Sequence, residues 1–261
     1  MTIHDILVAG GINVLDARVD PRPGSFSPIG VMVHHTANPQ HGDLPSLHLL
    51  QHGRPDLAGP LVQLGAGREG TIASITDGRA NHAGKGSDVV AARVRADVEP
   101  AQPGSDNTDG NTLFIGIEIE NAGDGHDPYP ARQLDHVVDT CVALCIHFGW
   151  SANRVIGHKE WTRRKPDPTL LMGNLRSAVH HALNPPPTPQ PEEDMLRIVT
   201  CRDHGGTYLT NCIDSVRTLS QAALIHGRNL GFYPKDEIDV PHEWIVWVDQ
   251  AQDGHHNPAG V

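Results

Sequence analysis

Aromatic residues are scarce in this chain of 261 residues: four Trp, three Tyr and four Phe. A stacking platform of the kind that reads single-stranded RNA has too little to be built from. Positive charge is short as well, with 20 Lys and Arg against 31 Asp and Glu and a formal net charge of −11. Phosphate contacts need clustered cations, and no basic run occurs, so nucleic-acid binding is excluded. The same deficit removes simple attraction to an anionic wall or membrane, where recognition has to be specific. No apolar stretch approaches the roughly 20 residues that span a bilayer, so no membrane insertion is expected. The first residues, Met1 to Gly11, lack both a basic n-region and a full apolar h-region. No signal peptide is read there, and the chain is expected to be made and folded in the cytoplasm. Only four cysteines are present. No CxxC pair points to a zinc ribbon. Cys141 and Cys145, one helical turn apart in an apolar run, read as small buried hydrophobes. Cys201 and Cys212 could meet across a hairpin, but nothing forces a disulfide.

The chain is rich in Gly (27), Pro (21) and His (18), which predicts a loop-rich globular protein rather than a helical bundle. Its length allows one full domain and a smaller second one. The boundary lies in Asn184-Pro185-Pro186-Pro187-Thr188-Pro189-Gln190-Pro191-Glu192-Glu193-Asp194, because proline at this density stays extended and acts as a semi-rigid spacer. The expected organisation is therefore a domain over 1–184, a linker over 185–194 and a module over 195–261.

Before the linker, Ile29 to His35 reads as a buried strand with histidines at its C-terminal end. Leu44 to His52 reads as a helix. Pro60 to Leu64 and Thr71 to Ile75 read as a hairpin around Gly-rich turn residues. Leu113 to Glu120 is a β-branched strand, and Ala131 to Phe148 an amphipathic helix with Leu134, Val137, Val138, Cys141, Leu144 and Cys145 on its apolar side. Val155 to Gly157 is a short strand, and Leu170 to Leu183 a closing helix. Gly86 to Asn111 is Asp-, Pro- and Gly-rich with weak periodicity; it reads as a long mobile loop over a cleft, with at most one short helix at Val89 to Val94. Strands interleaved with helices predict an α/β fold, a mixed central sheet flanked by helices. After the linker, strands at Met195–Thr200 and Thr207–Thr210, a helix at Thr218–Leu230 and an apolar run at Glu243–Val248 predict a small α+β or mainly β module.

The chemistry-bearing segment is Gly157-His158-Lys159-Glu160-Trp161-Thr162-Arg163-Arg164-Lys165-Pro166-Asp167-Pro168. His158 and Asp167 are ligand types that zinc accepts. Lys165 and Asp167, two residues apart in extended chain, can face one pocket. A third ligand has to come from elsewhere, and His34 or His35 emerges at the carboxyl edge of a core strand. Alternation sends the two to opposite faces, so only one can join the site. Two imidazoles and a carboxylate leave one position on Zn2+ for water, whose pKa the metal lowers towards about 7. Glu118, among apolar neighbours, should have a raised pKa and serve as general base. Glu120 lies on the same face and is the competing choice. Lys165 can stabilise a developing oxyanion. His48 and His52 have zincin spacing, but Leu49 stands where that motif needs Glu, so they read as surface residues. His180-His181 and His255-His256 lack a carboxylate partner and are set aside.

Four motifs, Val33-His34-His35-Thr36-Ala37, Asn81-His82-Ala83-Gly84, Ile115-Gly116-Ile117-Glu118-Ile119-Glu120 and Gly157-His158-Lys159-Glu160 with Lys165-Pro166-Asp167-Pro168, resemble in order those of the type 2 N-acetylmuramoyl-L-alanine amidases. That superfamily includes phage endolysins and peptidoglycan recognition proteins. The resemblance covers roughly residues 25–184. It implies a zinc amidase that cuts between the lactyl group of N-acetylmuramic acid and L-alanine. It selects His34, His158 and Asp167 as ligands, Glu118 and Lys165 as catalytic residues, and Asn81 and His82 as substrate-binding. A catalytic domain, a proline-rich linker and a small appended module is an endolysin-like layout, implying a monomer that reaches peptidoglycan after release from the host cytoplasm. A non-catalytic recognition protein, or a cytosolic amidase recycling anhydromuropeptides, are the competing readings.

Overall fold

Near-continuous apolar runs in the central strands, Val31-Met32-Val33 and Phe114 to Ile117, dictate burial on both faces. In the computed structural model, residues 1–185 are described throughout, and beyond them only the strands 197–201, 207–210, 216–218 and 237–240. The chain divides into two compact units, Met1–Pro185 and Pro186–Val261. The first contains α1 (Ile3–Ala9), β1 (Val14–Asp16), β2 (Gly30–His35), α2 (Leu47–His52), β3 (Gly53–Arg54), β4 (Leu57–Ala58), β5 (Leu64–Ala66) and β6 (Ile72–Ser74). It continues with β7 (Lys85–Ser87), α3 (Asp88–Arg95), β8 (Asp106–Asp109), β9 (Phe114–Ile119), α4 (Ala131–Phe148), β10 (Val155–Gly157), α5 (His158–Trp161) and α6 (Met172–Leu183).

Six strands form one mixed sheet in the order β1-β6-β5-β9-β2-β10. All neighbours run parallel except the antiparallel pair β5 and β6. One face carries Val31, Val33, Leu64, Ala66, Ile115, Ile117 and Ile119, which pack against Val137, Cys141, Leu144 and Cys145 of α4 and Leu175 and Val179 of α6. The i, i+4, i+7, i+8 spacing of the α4 residues is the apolar stripe that the sequence announces. Gly149, with φ of 68°, closes α4 in the left-handed conformation common after a helix. Helix α1 adds Ile3, Ile6 and Leu7 to this core. It starts with a capping box, Thr2 accepting from the Asp5 amide while Asp5 accepts from the Thr2 amide.

The opposite face carries Met32, Phe114 and Ile156, packed with Val90, Ala91 and Val94 of α3 and with Trp161. The short helix expected at Val89 to Val94 is present, but the long mobile loop expected over the rest of 86–111 is not. The segment is a strand, an eight-residue helix and a second strand, with β7 and β8 paired antiparallel. The physical reason is Trp161, fully buried, whose indole lies where a Cβ on Gly86 would have to sit, about 2.3 Å away. Glycine at 86 lets the backbone lie directly on the ring. The hairpin is present but shifted: its first strand is Leu64–Ala66 rather than 60–64. The two helices flanking the expected positions begin later, at Leu47 and Met172.

In the second unit the described strands are β11 (Arg197–Cys201), β12 (Thr207–Thr210), β13 (Val216–Thr218) and β14 (Glu237–Val240), in the order β13-β12-β11-β14. The expected helix at 218–230, the apolar run at 243–248, most of the linker, Cys212 and His255-His256 lie outside the described residues. No helix among the described residues is long and apolar enough to cross a membrane.

Candidate metal centre

Parallel strands β10, β2 and β9 end at the same edge of the sheet, and their register decides what meets there. His34 on β2 is paired with Glu118 on β9, so both side chains rise on one face, the one that also carries Met32. On the other flank of β2, Gly157 pairs with Val33, and the chain turns directly into α5 with His158 as its first residue. The peptide amide of Lys159 then donates to the carbonyl of Asp167 at 2.7 Å, folding the Pro-flanked segment back over the site. Three side chains converge as a result. His34 Nδ1 lies 3.0 Å from His158 Nδ1 and 3.1 Å from Asp167 Oδ2, and the last two atoms are 3.0 Å apart. All three residues are buried. Among the described residues this is the one group of three or more such side chains placed to hold a metal ion.

The outer nitrogens of the two rings fix what the inner ones present. His158 Nε2 lies 3.1 Å from the carbonyl of Ala83, an acceptor only, so Nε2 carries the proton. In the neutral ring Nδ1 is then a lone pair. His34 Nε2 lies 2.9 Å from His82 Nδ1, and His82 Nε2 lies 3.1 Å from the carbonyl of Phe114. His82 must therefore donate through Nε2 and accept through Nδ1, which makes His34 the donor between them. Burial first, and the neighbouring His34 and His158 next, push the pKa of His82 well below its ordinary value. Burial and then His158 bring His34 down to about 4. His34 and His82 are therefore neutral near pH 7. With the His158 ring in the neutral form that a metal ligand requires, the inner triangle consists of two lone pairs and a carboxylate oxygen. Three acceptors at about 3 Å repel one another unless a cation lies between them.

Glu118 borders this triangle. Its Oε2 is buried and has no hydrogen-bond partner. Burial first, then the charges of Asp167 and Glu120, push its carboxyl up to about 8, with Lys165 opposing. Glu120 is placed differently. Its carboxylate accepts from the Ser46 amide at 2.7 Å, the Ser46 hydroxyl at 2.9 Å and the Thr36 hydroxyl at 2.9 Å. It is occupied in holding the 36–46 loop. Lys165 is exposed. It lines a cleft of about 200 Å³ together with Asn81, His82, Asn111, His158 and Thr162. Asn81 donates to the carbonyl of Ala58. His82 has both ring nitrogens engaged inside the protein, and its ring fits only because residue 116 is glycine: a Cβ there would come within 2.7 Å of Nδ1. His35 points away from the triangle, with Nδ1 3.3 Å from the Tyr129 hydroxyl.

The sequence model described as N-acetylmuramoyl-L-alanine amidase, Amidase_2, matches residues 25–170, more than half of the chain and all of the residues just described. The chain belongs to this amidase family. It is a peptidoglycan amidase. Solved structures similar to it include the catalytic domain of XlyA, at 22% identity over 64% of this chain and 99% of that one, TM-score 0.46. A mutant endolysin from Bacillus subtilis has the same identity, coverage and TM-score. A selenomethionine derivative of AmpD is similar at 21% identity over 63% of this chain and 94% of that one, TM-score 0.46. No curated protein matches.

The amidase surrounds its triangle with residues that spacing alone left unremarked. Lys159 and Glu160, background in the sequence, brace the two candidate ligands that flank them, His158 and Asp167. The Lys159 ammonium donates to the carbonyl of Leu170 at 2.6 Å, closing the Asp167 segment. Glu160 accepts from the Gly157 amide and from both terminal nitrogens of Arg176, tying the start of α5 to α6. Ala83, through its carbonyl, and Asn111 were not legible as site residues. Asn111 fell inside the stretch that reads as a loop, and nothing about its spacing distinguishes it. The surface pairs His48/His52 and His180/His181 are exposed, as expected.

Proposed function

We propose that this amidase is zinc-dependent, that it hydrolyses the amide between the lactyl group of N-acetylmuramic acid and L-alanine in wall peptidoglycan, and that a bacteriophage uses it as an endolysin. The observation that carries the zinc assignment is the buried triangle of His34 Nδ1, His158 Nδ1 and Asp167 Oδ2, with edges of 3.0–3.1 Å. Ligand atoms 2.0–2.1 Å from a tetrahedral ion are about 3.3 Å apart, so the donors need to open only slightly. Two neutral imidazoles and one carboxylate also match the donor set of open hydrolytic zinc sites. When bound, the ion supplies Lewis acidity, lowering the pKa of a water towards about 7 and polarising the scissile carbonyl.

The side chains divide the remaining work. Glu118, beside His34 and with a free Oε2, accepts the proton of the attacking water and returns it to the departing amine. The Lys165 ammonium, at the mouth of the cleft, stabilises the oxyanion. Asn81 and His82 form the wall that the substrate meets. The unit after the Pro-rich stretch tethers the enzyme to the wall and raises its effective concentration there. In this reading the protein acts as a monomer, made in the host cytoplasm and reaching peptidoglycan after release.

The test is release of new L-alanine amino termini from intact peptidoglycan and from soluble muropeptides, with and without a chelator. Chelator-sensitive release from intact wall is expected. Release from neither substrate rejects the assignment, and preference for soluble anhydromuropeptides replaces wall lysis by recycling. Lys165→Ala should retain the metal, measured by elemental analysis, while kcat falls about 10²–10³-fold, the range for loss of one oxyanion donor. Loss of metal in that variant would show that Lys165 holds the site together instead.

A further inference from the structure

One carboxamide oxygen gathers three successive backbone amides behind the triangle. Asn111, buried just before β9, accepts through Oδ1 from His82 N at 3.0 Å, Ala83 N at 2.9 Å and Gly84 N at 3.1 Å. It is itself fixed, its own amide donating to Asp109 Oδ1 at 3.1 Å. Gly110 N donates to Gly84 O at 2.8 Å, so the two segments are stitched in both directions. The gathered residues are those that supply the acceptors for both ligand rings: the His82 ring for His34 Nε2, and the Ala83 carbonyl for His158 Nε2.

We propose that Asn111 is a positioning residue that holds the acceptors of both rings, the His82 ring and the Ala83 carbonyl, and so sets the tautomer of His34 and His158. Without its oxygen, three amides lose their common acceptor and the 82–84 segment is released. His158 Nε2 then has no fixed carbonyl to donate to, and the ring is free to carry its proton on Nδ1. An Nδ1–H cannot ligate an ion, so metal binding would have to displace that proton first. Partners of this outer kind typically change metal affinity by about 10–100-fold when removed. The consequence for metal binding rests on the zinc reading above; the tautomer assignment does not.

The experiment uses the full chain with ¹⁵N-labelled histidine. Nitrogen chemical shifts report which ring nitrogen is protonated in the metal-free protein, and competition with a chromophoric chelator gives the Kd for Zn2+. The natural protein should show His34 and His158 with protonated Nε2 and bare Nδ1. Asn111→Ala should shift His158 towards protonated Nδ1 and weaken Zn2+ binding about 10–100-fold. Asn111→Asp, which keeps the acceptor oxygen, should restore both readouts. Natural tautomers and natural Kd in a folded Asn111→Ala overturn the proposal. If Asn111→Ala does not fold, Asn111→Asp decides: protonated Nδ1 in that folded variant overturns it equally. A natural protein that shows the expected tautomers but binds no Zn2+ overturns the zinc reading and leaves the Asn111 assignment standing.

Discussion

Asp167→Asn is expected to abolish metal loading and turnover together, while the metal-free protein becomes at least as stable as the natural one. In the inner triangle, Asp167 Oδ2 faces two imidazole nitrogens at 3.0 and 3.1 Å. Each is an acceptor in the neutral ring, because the outer nitrogens donate to Ala83 O and His82 Nδ1. An amide NH2 in place of the carboxylate oxygen puts a donor where the conflict was, satisfying one or both rings. The same substitution removes the one negative charge of the triangle. Loss of a partner behind a ligand already costs about 10–100-fold in metal affinity. Loss of the charged ligand itself should cost more, well over about 100-fold. Elemental analysis after dialysis, activity on peptidoglycan and thermal unfolding in chelator measure the three parts. A variant that retains metal would show that Asp167 is not the third ligand. A metal-free variant markedly less stable than the natural protein would remove the acceptor-conflict argument.

That triangle was half legible in the sequence. His158 and Asp167 stood out because an imidazole and a carboxylate between a strand and a helix, with prolines fixing the chain, have few structural explanations. The strand Gly30–His35 and the helix Ala131–Phe148 were legible because burial on one face imposes a period, and period survives in sequence. The site's supports were not. Asn111, the Ala83 carbonyl and the bond from Lys159 N to Asp167 O depend on contacts between segments far apart in the chain, or on backbone groups that every residue carries. The 86–111 stretch misled for a related reason: α3 buries only Val90, Ala91 and Val94, too few to announce a helix strongly, and its order comes from Trp161 some 70 residues away. Helix α1 was overlooked although Thr2 and Asp5 spell a capping box, because a seven-residue helix shows barely two turns of periodicity.

Glu118→Gln is expected to lower kcat by about 10²–10⁴-fold, the contribution of a general acid–base group, while raising the stability of the metal-free protein. The two effects share one cause. Glu118 sits beside His34 with an unpartnered Oε2, and burial pushes its carboxyl up to about 8. In the unfolded chain it titrates near the ordinary 4.5. Between those values the folded protein holds a proton that the unfolded protein has released. Stability therefore falls as pH rises through that window. Glutamine carries no charge to desolvate, so the variant should escape the fall. The advantage should be small near pH 5 and reach on the order of 2 kcal/mol by pH 8, allowing for the solvent that reaches the cleft. Loading with metal should shrink it, since a nearby dication favours the carboxylate. Unfolding of both proteins in chelator at pH 5 and pH 8, beside kcat with metal, tests the pair of effects. Equal stability at both pH values would mean that Glu118 is solvated in the folded protein. Retained turnover would return Glu120 to contention as the base, although its carboxylate already accepts three hydrogen bonds from Ser46 and Thr36. A base so fully engaged must break at least one of them to take a proton from water, whereas Glu118 Oε2 has none to break.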